Sequence, residues 1–480
     1  MSTPKARLTL LAALLSLSAA GSSASAATFY WGQTTYSSGS IYNGNAATAG
    51  NWFTDAAGTS VAGAAPDSLT DDLVFNTTPA NAVGGTVTVA ASLSAQSLTF
   101  STSGATTLSQ SGNQSLIIGG GGVTLGASSG SVSLGGTTDT LTTRVSSDQT
   151  WTNNSSSTLT ARNLATDQGS GGGTLTLNAA STGGILFSFN VFDYTDDQLA
   201  VVVASTGTGY VTFNGSSNTY RGGTIIKSGN VRANGTLGSG DVLLGDTTGS
   251  ANARIDVRPA GSATFDNNVV VRSGSSGTKT IVTNSLVLVQ LNGSITLNDS
   301  VAILTATDGT FNGVISGTGD IVKTGSGALT FNAANTFSGD LTISAGAFTL
   351  TDTGGELTFY IGANGVNNQV NGATTGAVAF DGTFSFNLDG AELVDGNSWT
   401  LVSLASTAET YGSSFAITGF TEVDDVWTNG AGLTFTEATG ILSYTAAAVP
   451  EPASAALIGG ICASFFILGR RRDVRSALRG

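Results

Sequence analysis

The chain of 480 residues holds 66 glycines and only six prolines, and 40% of it is hydrophobic against 10% charged. That is too much apolar surface for disorder, and a middle rich in Thr, Ser, Asn, Gly and Val describes short strands joined by tight turns. The formal charge of −14 becomes about −20 once the basic terminal segments are set aside, which argues against nucleic acid and anionic lipid, both of which need clustered Lys and Arg. With no histidine and Cys462 as the single cysteine, the chain lacks the means for an internal disulfide, a His or Cys metal site, or a Ser-His or Cys-His nucleophile. No cofactor is expected.

At the N-terminus, Lys5 and Arg7 precede the apolar run Leu8 to Leu17, and Ala24-Ser25-Ala26 supplies an A-x-A cleavage pattern before Ala27. This order predicts a helical secretory signal peptide over 1–26. About ten apolar residues are too few for a bilayer core that needs roughly 20. The Sec translocon and signal peptidase are the partners this implies. Residues 27–80, with Trp31-Gly32, Trp52-Phe53, Pro66 and Asp71 to Phe75, are richer in aromatic and turn residues than the middle. They are read as an N-terminal cap, needed because the end of a strand stack exposes an open edge.

The body, 81–380, repeats itself. Val211-Thr-Phe-Asn-Gly-Ser-Ser-Asn-Thr-Tyr-Arg-Gly-Gly-Thr-Ile-Ile aligns with Leu329-Thr-Phe-Asn-Ala-Ala-Asn-Thr-Phe-Ser-Gly-Asp-Leu-Thr-Ile, with one residue inserted in the first copy. Phe213 and Asn214 match Phe331 and Asn332, Asn218-Thr219-Tyr220 matches Asn335-Thr336-Phe337, and Gly222 and Gly229 match Gly339 and Gly346. Period-2 alternation marks the strands, and Asn and Gly mark the turns. Weaker echoes lie at Gly173-Thr-Leu-Thr-Leu-Asn, Gly119 to Gly136 and Ser294-Ile-Thr-Leu-Asn.

The segment from Phe311 into the second copy resembles the autotransporter-associated β-strand repeat, the best copies spanning about 207–235 and 311–350. That resemblance implies an all-β fold, a right-handed parallel β-helix of the kind found in autotransporter passenger regions, and implies little about activity. Rungs of roughly 20 to 25 residues predict on the order of 15 to 20 coils stacked about 4.8 Å apart, a rod with a long face and few concave pockets. No membrane barrel follows the repeats, so the expected route to the surface is the C-terminal tail.

Chemistry on such a body would need converging carboxylates. Asp71-Asp72, Asp196-Asp197 and Asp424-Asp425 are adjacent pairs, whose members on a strand point to opposite faces, so solvated turns are expected. For a lyase the available arginines are Arg144, Arg162, Arg221, Arg232, Arg254 and Arg258, none beside an Asp cluster of calcium-ligand spacing. Gly238 to Asp246, with Asp241, carries one copy of a glycine-rich Ca²⁺-binding pattern that works in tandem and is read as a turn. Gly119 to Gly122 is also read as a turn, since no helix or lysine follows to make a phosphate cradle. Tyr30, Trp31 and Trp52 would suit stacking on sugar rings, but packing in a cap is favoured.

Residues 381–446, with Trp399 and Trp427, are read as a C-terminal β cap, a small β-sandwich being the rival. The tail, 447–480, reads Val449-Pro450-Glu451-Pro452, then apolar residues Ala453 to Leu468, then Gly469-Arg470-Arg471-Arg472. Sixteen apolar residues make a helix of about 24 Å, enough for a membrane span with some local thinning, and the arginines mark its cytoplasmic side. The order of motif, span and basic cluster resembles the PEP-CTERM sorting signal. That resemblance implies recognition by an exosortase after transient tethering in the inner membrane of a Gram-negative-type bacterium.

The reading is therefore a non-catalytic exported protein of the cell surface or extracellular matrix, contributing to surface or exopolysaccharide architecture, with extracellular polysaccharide as a further partner. A carbohydrate-binding adhesin and a secreted polysaccharide lyase are the alternatives.

Overall fold

The computed structural model describes residues 26–32, 43–76, 84–259, 264–285, 288–373, 375–405 and 409–447. Ala24 and residues 448–480 of the tail, with Pro450, Glu451, Pro452, Arg470, Arg471 and Arg472 and the expected signal and membrane helices, lie outside them. Among the described residues every regular element is a strand except two short 3-10 turns, Ala49–Asn51 and Glu437–Thr439. No helix there is long and apolar enough to cross a membrane. The chain divides into two compact units between Gly313 and Val314.

In the first unit the ladders are almost all parallel, and each strand pairs with one a coil further along. Leu159–Ala161 pairs with Ile185–Phe187, which pairs with Tyr210–Phe213, each a step of 26 residues (Leu159↔Ile185↔Val211). The next step, Val211↔Val231, is 20. Parallel strands need a long crossover, and here the crossover consists of the other strands of the same coil. The echoes at Gly173, Val123 and Val132 and Ile295 all lie on strands, Gly172–Ala179, Ser115–Leu125, Val132–Leu134 and Ile295–Leu297.

Period-2 sequences build the core directly. Val132–Leu134, Leu159–Ala161 and Ile185–Phe187 alternate buried, half-buried, buried. In-register stacking then turns each inward position into a column: Leu108, Leu134, Ala161, Phe187, Phe213, Ala233 and Val257 succeed one another across neighbouring strands. Ala161 and Ala233 flank Phe187 and Phe213, whose rings stack with centroids 5.0 Å apart. Burying one such phenylalanine is worth about 1.5–3 kcal/mol.

The second unit continues with three parallel ladders. Ile321–Thr324, Leu341–Ile343, Val370–Gly372 and Val402–Leu404 form one. Leu329–Phe331, Phe348–Leu350, Val378–Phe380 and Glu409–Tyr411 form the second, and Ala334–Asn335, Glu356–Tyr360, Thr383–Asn387 and Ala416–Ile417 the third. Steps lengthen here to 29 (Leu341↔Val370) and 32 (Val370↔Val402). Some coils in both units keep the 20 to 25 residues predicted, such as Ile321↔Leu341 at 20, and others run beyond it, because turns of unequal length are inserted between paired strands.

The described chain ends in a different topology, an antiparallel sheet of Ser398–Thr400, Ile441–Tyr444, Leu433–Thr436, Val426–Thr428 and Thr421–Val423. An aromatic cluster joins it to the coils: Phe384 touches Phe380, Phe415 and Phe435, and Phe415 meets Trp427 edge-on at 5.3 Å. Asp424 and Asp425, at φ 53° and 61°, are the two central residues of the hairpin between Thr421–Val423 and Val426–Thr428. Aspartate tolerates this left-handed turn better than most residues.

Candidate functional site

Asparagine and glycine, marked in the sequence as turns, do a sharper job in the structure. Asn218 is buried; its Oδ1 accepts from the Val191 N–H of the preceding coil at 2.8 Å, and its Nδ2 donates to Gly215 O and Thr236 O at 2.9 and 2.7 Å. Asn335, its counterpart, accepts from Ile315 N–H at 2.9 Å and donates to Ala333 O and Glu356 O at 2.8 and 3.3 Å. One side chain therefore satisfies backbone groups of three consecutive coils that the corner would leave orphaned.

The acidic pairs are scaffolding. Asp197 is buried and accepts from the N–H groups of Gly169 and Gly171 at 3.1 and 2.7 Å, whereas Asp196 is exposed. Asp72 accepts from Ser97 Oγ at 2.6 Å, and burial raises the Asp71 carboxyl above its ordinary range, with the charges of Asp72 and Asp67 adding to the effect. Asp241 Oδ1 accepts from Asn268 in an ordinary turn. Among the described residues no three His, Cys, Asp or Glu side chains gather as a metal site.

One sequence expectation changes and one holds. Gly119 to Gly122 is no turn but part of the strand Ser115–Leu125, at a register shift opposite Ala95 to Ser97. A Cβ on Gly122, at φ +67°, would stand 2.1 Å from Thr150 O, so the glycines let the backbone bulge against its neighbours. Trp31 and Trp52 are packed and offer no sugar platform: they meet edge-on at 4.9 Å, and the Trp52 indole N–H donates to Ala46 O at 2.8 Å. Trp151, Trp399 and Trp427 are buried as well, and Tyr30 is half-buried.

The arginines divide into two groups. Arg144 pairs with Asp167, Arg221 with Asp193, and Arg254 with the buried Asp256 at 2.5 Å; Arg162 lies over the Phe189 ring and donates to Thr137 O. Arg232 and Arg258 carry no ion pair among the described residues and both open onto one groove. It encloses about 740 Å³ and is lined by Tyr210, Thr212, Asn214, Arg232, Asn234 and Arg258, with Thr158 and Thr182 towards one end and Ser285 towards the other. Arg232 lies flat over the Tyr210 ring at 4.1 Å, and its buried Nε has no hydrogen-bond partner among the described residues. Arg258 is oriented through Nε to Asn284 O at 3.0 Å, and Asn234 donates to Asn214 Oδ1 at 2.6 Å. No carboxylate lines this groove, so it holds neither half of a glycosidase acid pair.

A second hollow, of about 540 Å³, lies in the second unit between Glu409, Tyr411, Asp425 and Glu437. Burial raises the Glu437 carboxyl above its ordinary range, with Asp425 and Glu422 adding, while the Trp427 indole N–H bonded to its Oε1 at 2.7 Å opposes the shift. Glu437 thereby pins a core tryptophan.

The sequence marked Arg232 and Arg258 only as two arginines among six. Their separation of 26 residues, close to the 24-residue step from Arg232 to Asp256, was the signal that would have placed them on neighbouring turns.

Of the residues predicted around signal cleavage, Ala26 is exposed and Ala27 half-buried. The Ala27 carbonyl already accepts from Asp72 N–H at 2.8 Å, one residue before the first strand, Thr28–Trp31.

The sequence profile of the passenger-associated-transport-repeat matches residues 206–233 and 321–350, overlapping the two aligned copies. The repeat is linked to autotransporter passenger domains and suggests an exported surface protein. No curated protein and no solved structure matches the chain.

Proposed function

We propose that this is a non-catalytic structural protein of the bacterial surface or extracellular matrix, its repeat body a right-handed parallel β-helix and its C-terminal tail a PEP-CTERM signal processed by an exosortase. The observation that carries the reading is the coil-to-coil lock at Asn218 and Asn335, which recurs within both matched passenger repeats or at their edge and spends polar side chains on holding the stack together. Right-handedness follows from the strong chiral preference of parallel crossovers. Passenger repeats are generally not catalytic, and the acidic pairs are engaged in backbone or side-chain contacts or form turns. The tie from Ala27 to Asp72 supports cleavage after Ala26, since Ala27 is already engaged with the first coil. The N-terminal aromatic cluster and the C-terminal antiparallel sheet serve as caps on open ladder edges.

The test compares the intact chain with one in which Pro450, Glu451 and Pro452 are replaced by alanine, in a host that has the processing enzyme. Fractionation and mass spectrometry of the mature C-terminus should find the intact chain cut near the motif and outside the cell, and the variant uncut in the inner membrane. Both proteins remaining uncut there would overturn the sorting route.

A further inference from the structure

We infer that the groove at Arg232 and Arg258 binds an acidic polysaccharide, one carrying carboxylates on successive sugars. This deepens the surface-protein reading by naming its ligand class, and rests on it only for where such a polymer is met. The groove crosses successive coils, from Thr158 and Thr182 through Tyr210 and Thr212, then Arg232 and Asn234, to Arg258 and Ser285. Coils of a parallel stack lie about 4.8 Å apart, close to the length of one sugar residue in an extended chain. Its hydroxyls and amides suit the polar edges of sugars.

Charge decides the class. The protein carries a formal charge of −14, yet this groove holds two guanidinium groups and no carboxylate. Arg232 pairs in register with Asp256, and Arg258 follows two residues later on the same coil, which sets the two backbones about 8 Å apart from the coil spacing and a 3.3 Å strand rise. They can meet carboxylates on nearby sugars of one polymer. Tyr210 holds the Arg232 fork flat and leaves Nε without a partner among the described residues. A fixed fork loses little freedom on pairing with a carboxylate, and the nearest acid in register, the buried Asp256, is already paired with Arg254.

The probe is polygalacturonate, with its fully methyl-esterified form as the uncharged match, titrated calorimetrically into the full chain purified in detergent. Polygalacturonate should bind at least tenfold more tightly than the ester, and R232Q and R258Q should each lower its affinity about tenfold or more. K227Q, outside the groove lining, should leave it unchanged. Unaltered thermal melting shows that the variants fold, and R232K tests the fork, since a point charge should recover only part of the loss. Absent binding, equal binding of the ester, or binding indifferent to both arginine substitutions overturns the assignment. Lost tail processing would leave this result untouched. Unsaturated uronate accumulating during titration would overturn the non-catalytic reading, and its dependence on Arg232 would still support the groove.

Discussion

The two repeat copies, one in each unit, use the same scaffold and differ where side chains face each other. Gly222 and Gly339 occupy equivalent corners, where an added Cβ would stand 2.4 Å from Leu199 O in the first and 2.3 Å from Gly319 O in the second. Gly229 and Gly346 share positive φ, +86° and +72°, and an added Cβ would crowd the segment just before the strand that opens each copy, at Ser205 in the first and at Gly325 O, Gly327 O and Lys323 Nζ in the second. Ser205 and Lys323 occupy equivalent places, and both are buried. Ser205 Oγ accepts from Ala179 N–H at 3.1 Å, while Lys323 Nζ donates to Ala345 O at 2.6 Å and Gly325 O at 3.1 Å. Tyr220 and Thr224 form a buried hydroxyl pair at 2.7 Å, and the equivalent positions hold Phe337 and Leu341. The lesson is that backbone-setting residues are shared, whereas side chains that need partners change as sets.

The harshest way to break this equivalence is at the glycines. Gly346→Ala and Gly229→Ala should each cost about 2–4 kcal/mol, from left-handed strain plus contact with the neighbouring coil, read by denaturant unfolding. Gly365→Ala, at φ +74° with open space around it, should lose only the strain, about 1–2 kcal/mol; equal losses at all three would mean that crowding is irrelevant.

Next come the asparagines. Asn218→Ala and Asn335→Ala should cost similar amounts, about 1–3 kcal/mol each, because both leave buried backbone groups of adjacent coils unpaired. A much smaller loss at one of them would end the claim that the copies share a lock.

The swapped pair predicts a coupling. Thr224→Val alone should cost about 1–2 kcal/mol by orphaning the Tyr220 hydroxyl, whereas Tyr220→Phe with Thr224→Val, nearer the second copy's apolar pair, should be close to neutral. Additive losses in that double-mutant cycle would show that the two hydroxyls do not depend on each other.

The smallest effect concerns Asp340, which stands where the first copy has Gly223. Burial holds its carboxyl above the ordinary range, Asp320 adds to this, and the Gln369 N–H at 2.8 Å opposes it. The folded state thus favours the protonated form, so its contribution is present in acid and fades as pH rises through the raised value. Asp340→Asn, which keeps an acceptor for Gln369, should leave the melting temperature unchanged in acid and raise it slightly at neutral pH.

Much of this was written in the chain, for a physical reason: period-2 alternation assigns faces locally, and Asn and Gly at matching positions after Phe213 and Phe331, one inserted residue apart, announce the corners. The all-β class and both repeat copies followed from those patterns. Three features waited for the tertiary structure. Coil length depends on turn insertions, which leave no periodic trace. The burial of all five tryptophans depends on neighbours distant in sequence. The groove exists only because register sets Tyr210, Arg232 and Arg258 on successive coils, a juxtaposition that stacking creates and local sequence does not encode.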